Sequence, residues 1–176
     1  MFRLMLLRHA KAAPLAGGGD KERPLTTRGH NQSAQIGQYL KDEQLIPDAA
    51  IVSDTARTRQ TLSDVLEHFG GEAAVLVQME PHVYDASPAT LLKVMRHASN
   101  KTKSVLLVGH NPGIHQFAVD LIGYGDRYAA QRLASKYPTA ALTVIDFDIE
   151  SWREVQVKSG RLDRFVTSAH FGEIED

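Results

Sequence analysis

Two short apolar runs set the pattern of this chain. Leu4-Met5-Leu6-Leu7 leads straight into Arg8-His9, and Val105-Leu106-Leu107-Val108 leads into Gly109-His110-Asn111-Pro112. A continuous apolar run bounded by polar residues reads as a strand buried on both faces. Each run therefore predicts a central strand with a histidine just past its C-terminal end. In open α/β sheets the ligand crevice lies at that end.

The segments between them alternate. Pro24-Leu25-Thr26-Thr27 opens a helix, with Thr26 or Thr27 as N-cap, that runs to about Lys41 and turns Ile36, Tyr39 and Leu40 inward. Ala49-Ala50-Ile51-Val52 is a short strand, and Ser53-Asp54-Thr55 caps a helix with Leu62, Val65, Leu66 and Phe69 on one face. Gly70-Gly71 ends that helix. Ala73–Val77 predicts a further strand and Met79–Asp85 a loop. Ser87-Pro88 places a cap before a proline at the first helical position, with Leu91, Leu92, Met95 and Ala98 as the apolar stripe behind it. Asn111 caps a helix that buries Ile114, Phe117, Ala118, Leu121 and Ile122. Gly123–Ser135 reads as irregular or partly helical, and Ala140–Phe147 with Trp152–Ser159 as a hairpin. Strand–helix alternation followed by a hairpin predicts a three-layer α/β/α fold, with a mostly parallel central sheet and an antiparallel C-terminal part.

Bulk properties narrow the function. The 176 residues carry a formal net charge of −1, which gives no sign of a nucleic-acid surface. The length is that of one domain over residues 1–176. There is no cysteine, so a zinc site would have to use histidine and carboxylates. The first apolar run is too short for a signal peptide, and no stretch reaches the ~20 apolar residues of a membrane-spanning helix. The expectation is a cytoplasmic protein with no membrane partner.

Arg8 at a strand end is either a solvated residue or a guanidinium fork for phosphate or carboxylate. His9 is either packed under a loop or usable as nucleophile or base. Arg57 and Arg59 fall in the first turn of a helix, facing the positive end of its dipole, at a cost of roughly 0.3–1 kcal/mol each. Arg59 reads as a surface residue. Arg57 shares an edge with Arg8 and His9, where a bound anion would reverse the penalty. His110 reads as a ligand contact beside Gly109 and Asn111, whereas His30, His68, His82, His97, His115 and His170 default to the surface. Two arginines, two histidines and a helix N-terminus suit a dianionic phosphoryl group. No P-loop or aspartate-rich magnesium site is present, so neither metal nor cofactor is expected.

These residues resemble the histidine phosphatase superfamily, also called phosphoglycerate-mutase-like. Leu7-Arg8-His9-Ala10 is similar to its Arg-His-Gly signature, with Ala10 in place of the usual glycine. Ser53–Thr61 is similar to its Ser-x-x-x-Arg-x-x-Gln-Thr segment, and Val108-Gly109-His110-Asn111-Pro112 to its second-histidine motif. The segment Asp20–Gly29 and the short chain are more similar to the SixA-type phosphohistidine phosphatase branch.

The resemblance implies His9 as nucleophile, Arg8 and Arg57 as phosphate clamps, and His110 as a further phosphate contact. Arg23, Arg28 and Asn111 are candidate substrate contacts. Glu80 or Asp85 is a candidate general acid, unless the site has none, which a labile P–N bond tolerates. The implied activity is a metal-independent phosphatase working through phospho-His9 on phosphohistidine of a protein partner. Two alternatives stand beside it. One is a phosphatase or mutase of small phosphate esters with Glu80 as acid. The other is a non-catalytic phosphate-binding module. The glycine run 17–19 marks a loop able to close on ligand.

Overall fold

The computed structural model describes residues 1–70 and 74–176. Its strands are β1 (Phe2–Arg8), β2 (Ala49–Val52), β3 (Leu76–Met79), β4 (Ser104–Gly109), β5 (Ile122–Gly125), β6 (Leu142–Phe147) and β7 (Gly160–Val166). Its helices are α1 (Thr27–Asp42), α2 (Ala56–Glu67), α3 (Pro88–Arg96), α4 (Gly113–Leu121) and α5 (Arg127–Ser135). Among the described residues none is a helix long and apolar enough to cross a membrane.

All seven strands form one sheet in the order β3-β2-β4-β1-β6-β7-β5. β3, β2, β4 and β1 run parallel. β6 is antiparallel to both of its neighbours, β1 and β7, and β5 is parallel to β7. The sheet is thus mostly parallel with an antiparallel part.

Alternation along the central strands feeds two cores. Leu4, Leu6, Val105 and Leu107 pack with Leu91, Met95, Ile114, Phe117 and Leu133 of α3, α4 and α5 on one face. Met5, Leu7, Leu106 and Val108 pack with Ile36, Leu40, Leu62 and Val65 of α1 and α2 on the other. Each such side chain, fully buried, stabilises the fold by roughly 1.5–3 kcal/mol. The result is the expected α/β/α layering.

The caps follow the sequence at three helices. The Thr26, Thr55 and Ser87 side chains accept from the backbone N–H groups of Gly29, Thr58 and Thr90. Four expectations are corrected. Pro112 occupies the N-cap of α4, and Asn111 instead donates its Nδ2 to the Tyr137 carbonyl at 2.8 Å. The second hairpin strand is β7, not Trp152–Ser159. Trp152 is fully buried, its indole donating to the Thr102 carbonyl at 2.8 Å, and residues 152–154 form a short 3-10 turn. β7 then starts at Gly160, where a Cβ would come within 2.4 Å of Ile145 Cγ2. The third-strand expectation shifts to Leu76–Met79; Gly71 and Ala73 lie outside the described residues. Finally, His68 and His115 are half-buried rather than superficial, and His115 stacks on Tyr137 with ring centroids 5.4 Å apart.

Candidate active site

Register builds the site. β1 and β4 pair in parallel with Leu7 opposite Val108 and Arg8 opposite Gly109. One residue later His9 and His110 leave the sheet side by side, ring centroids 5.3 Å apart. β2 pairs with β4 on the other side, Val52 opposite Val108, so Ser53 leaves at the same edge. Its hydroxyl lies 2.8 Å from His110 Nε2. Gly109 runs close to the loop beside it: a Cβ there would stand 3.2 Å from Val83 Cγ1.

His9 is 8% exposed and His110 9%. His9 Nδ1 lies 2.8 Å from the Ala10 carbonyl oxygen. That oxygen only accepts, so Nδ1 carries the proton and Nε2 keeps its lone pair. Burial, with His110, Arg8 and Arg57 nearby, holds the His9 pKa down to about 3. Burial and Arg57 hold His110 down to about 4. Both rings are neutral at neutral pH.

The cations are anchored but not saturated. Arg8 donates one terminal nitrogen to the Tyr137 carbonyl at 3.0 Å, and Tyr137 is itself tied through its hydroxyl to the Leu6 carbonyl at 2.8 Å. Arg57, 5% exposed, donates its two terminal nitrogens to the backbone carbonyl and the carboxylate of Asp20, at 2.8 and 3.0 Å. Among the described residues Arg8 Nε, Arg57 Nε and His110 Nδ1 are buried with no protein partner. Unsatisfied buried donors are costly and call for an explanation. An oxyanion at the sheet edge supplies one.

The structure thus brings together Arg8, His9, Arg57 and His110, with Asn111 alongside through Tyr137. Arg23 is linked to the group, donating to Asp20 at 2.9 Å and to the Ala13 carbonyl at 2.8 Å. Arg28 is engaged elsewhere, with the Asp176 carboxylate at 2.7 Å and the Ile174 carbonyl. Glu80 caps a short turn. Its carboxylate accepts from the His82 backbone N–H at 3.0 Å and meets His82 Nδ1 at 2.6 Å. Asp85 is exposed at positive φ, 52°. Among the described residues no three His, Asp or Glu side chains cluster to hold a metal ion.

Three members were not singled out from the sequence. Asp20 touches Arg57, Arg23 and the Tyr84 hydroxyl; the Tyr84 ring stands edge-on to His110, centroids 5.5 Å apart; and the Tyr137 carbonyl receives both Arg8 and Asn111. Nothing local marks them, because each arrives from a loop through tertiary contact.

The sequence model of the histidine phosphatase superfamily (branch 1) matches residues 4–83. Uncharacterized protein Rv1276c of Mycobacterium tuberculosis (strain ATCC 25618 / H37Rv) is 31% identical over 141 residues, covering 79% of this chain and 85% of that protein. Phosphohistidine phosphatase SixA of Escherichia coli (strain K12) is 27% identical over 122 residues, 68% of this chain and 74% of its own length. A crystal structure of a candidate phosphohistidine phosphatase SixA from Agrobacterium tumefaciens superposes with a TM-score of 0.79 at 30% identity, covering 94% of this chain and 97% of that one. The chain therefore belongs to the histidine phosphatase superfamily, in its SixA-type branch, and is a phosphatase.

Proposed function

We propose that the enzyme removes phosphoryl groups from phosphohistidine on proteins through a covalent phospho-His9 intermediate, without a metal ion. One observation carries this reading: His9 is held neutral, its proton fixed on Nδ1 and donated to the Ala10 carbonyl, with three unpartnered buried donors around it. The Nε2 lone pair attacks phosphorus in line. Arg8 and Arg57 meet the charge on the equatorial oxygens. When the Ser53 hydroxyl donates to His110 Nε2, the His110 proton sits on Nδ1, the atom with no protein partner, and adds a further donor. Water then attacks phospho-His9, and the electron pair of the P–N bond returns to Nε2.

The protein substrate is inferred from the acid. Glu80 is engaged with His82, and an imidazole leaving group makes less demand on a proton donor than an alkoxide does. Turnover of a phosphohistidine-bearing protein domain, a phosphoserine peptide and a sugar phosphate, all in chelator, tests the reading with wild type beside His9→Ala. The expected result is preference for phosphohistidine, kept in chelator and lost in the variant. Wild-type turnover by His9→Ala overturns the intermediate, and preference for the sugar phosphate overturns the substrate.

A further inference from the structure

One carboxylate sits among the cations of this site, and the chemistry above makes no use of it. Asp20 Oδ2 accepts from Arg57 at 3.0 Å and from the Tyr84 hydroxyl at 2.7 Å, and Oδ1 accepts from Arg23 at 2.9 Å. The turn that carries it is pinned again by Lys21, 3.2 Å from Asp54 and 4.7 Å above the Tyr84 ring. A negative group here weakens the field that holds a phosphoryl dianion. Its presence makes sense where the substrate brings a positive charge to the same place.

The layout favours that. His9 lies at the floor, 8% exposed, whereas the Asp20 side chain is 42% exposed. In-line attack sends the leaving group away from His9, toward the open side of the site. An ionised carboxylate offers about four acceptor positions. Arg57, Tyr84 and Arg23 occupy three, which leaves one on Oδ1.

We propose that Asp20 selects the phosphohistidine leaving group, its carboxylate accepting a hydrogen bond from the remote N–H of the substrate's protonated imidazole. The inference rests on the phosphohistidine reading given above. The step balances without a general acid. The His9 Nε2 lone pair forms the new P–N bond. The substrate's P–N bond breaks, and its electron pair returns to the substrate nitrogen. The ring keeps its remote proton and departs as neutral imidazole, and the positive charge passes to phospho-His9, whose Nδ1–H already donates to Ala10. Hydrogen bonds from Tyr84 and Arg23 hold the Asp20 carboxyl below the usual carboxylate range, so it is an acceptor here and not a proton donor. A sugar alkoxide leaving beside it meets a like charge and no proton.

Asp20→Asn keeps the shape and removes the charge. The efficiency kcat/KM is measured for a phosphohistidine protein domain and for an aryl phosphate, whose phenolate leaves without a proton, across pH 6–9. Inorganic phosphate inhibition reports on Arg57. The expected result is a fall of at least tenfold in the ratio of phosphohistidine to aryl phosphate efficiency. In the same runs the alkaline limb of kcat for phosphohistidine also moves to lower pH, because the bound ring loses the anion that kept it protonated. Asp20→Glu restores most of the ratio. Equal loss on both substrates, with weakened phosphate inhibition, reduces Asp20 to a brace for Arg57 and overturns the proposal while the substrate reading stands. A wild-type enzyme that hydrolyses the aryl phosphate but not phosphohistidine overturns both.

Discussion

Replacing Arg57 by lysine keeps the charge and removes the fork. In the native site the two terminal nitrogens of the guanidinium are committed to Asp20 at 2.8 and 3.0 Å, and Nε is buried without a protein partner. A lysine ammonium is a single point on a flexible stem and cannot serve the loop and a phosphoryl oxygen together. The two losses differ in size. The ion pair to half-exposed Asp20 is screened by solvent and stabilises by about 0–1 kcal/mol. The bond to the Asp20 carbonyl adds about 1 kcal/mol. Together they set a stability loss of about 1–2 kcal/mol, or about 2–8 °C in Tm at this chain length. Loss of one positioned donor to the developing charge costs about 10²–10³ in kcat. Arg57→Lys is therefore expected to unfold only a few degrees below wild type while its aryl phosphatase activity falls by about two to three orders of magnitude. Thermal unfolding and steady-state kinetics on the same preparation measure both. Activity within fivefold of wild type would refute the geometry argued for Nε.

Two further outcomes follow from the histidines. In the unfolded chain both titrate near pH ~6.5, but in the fold they resist protonation down to about 3 for His9 and about 4 for His110. Between those limits the unfolded state binds more protons, so stability is full above about pH 6.5 and falls as pH drops. The two rings each remove about 2 kcal/mol by pH ~5 relative to pH ~8. Urea unfolding at the two pH values checks this, and an equal pH dependence in the His9→Gln/His110→Gln double variant would sink it. Ser53→Ala removes the partner of His110 Nε2 in a buried setting and is expected to cost about 1–3 kcal/mol. About tenfold in kcat goes with it as the ring loses its fixed tautomer; unchanged kcat would show that Ser53 does not orient His110.

What the sequence made legible follows burial. Leu4–Leu7 and Val105–Val108 are strands with no water on either face, and unbroken apolar runs say so directly. β3 is an edge strand whose four residues are all exposed, so its pattern carried little and its boundaries slipped. β5, with two glycines in four residues, gave no signal at all. In the misplaced hairpin strand, Trp152 and Val155 stand three apart and are both fully buried, the spacing of a 3-10 turn rather than of a pleat. At the site, Arg8, His9, Arg57 and His110 were readable because each lies within a residue or a few of a strand end. Asp20, Tyr84 and Tyr137 were not, because their importance rests on contacts with partners 37, 64 and up to 131 residues away.

The place of β1 in the sheet also orders events in time. The segment carrying Arg8 and His9 leaves the ribosome well before either of its two neighbours, β4 and β6, which follow about 100 and 140 residues later. Until residues 142–147 emerge, a strand carrying the apolar run Leu4–Leu7 has at least one bare edge, the form most prone to pairing with another chain. Arg8 and His9 are thus the earliest of the four clustered residues to be synthesised, yet the strand that carries them is paired on both sides only once residues 142–147 have followed.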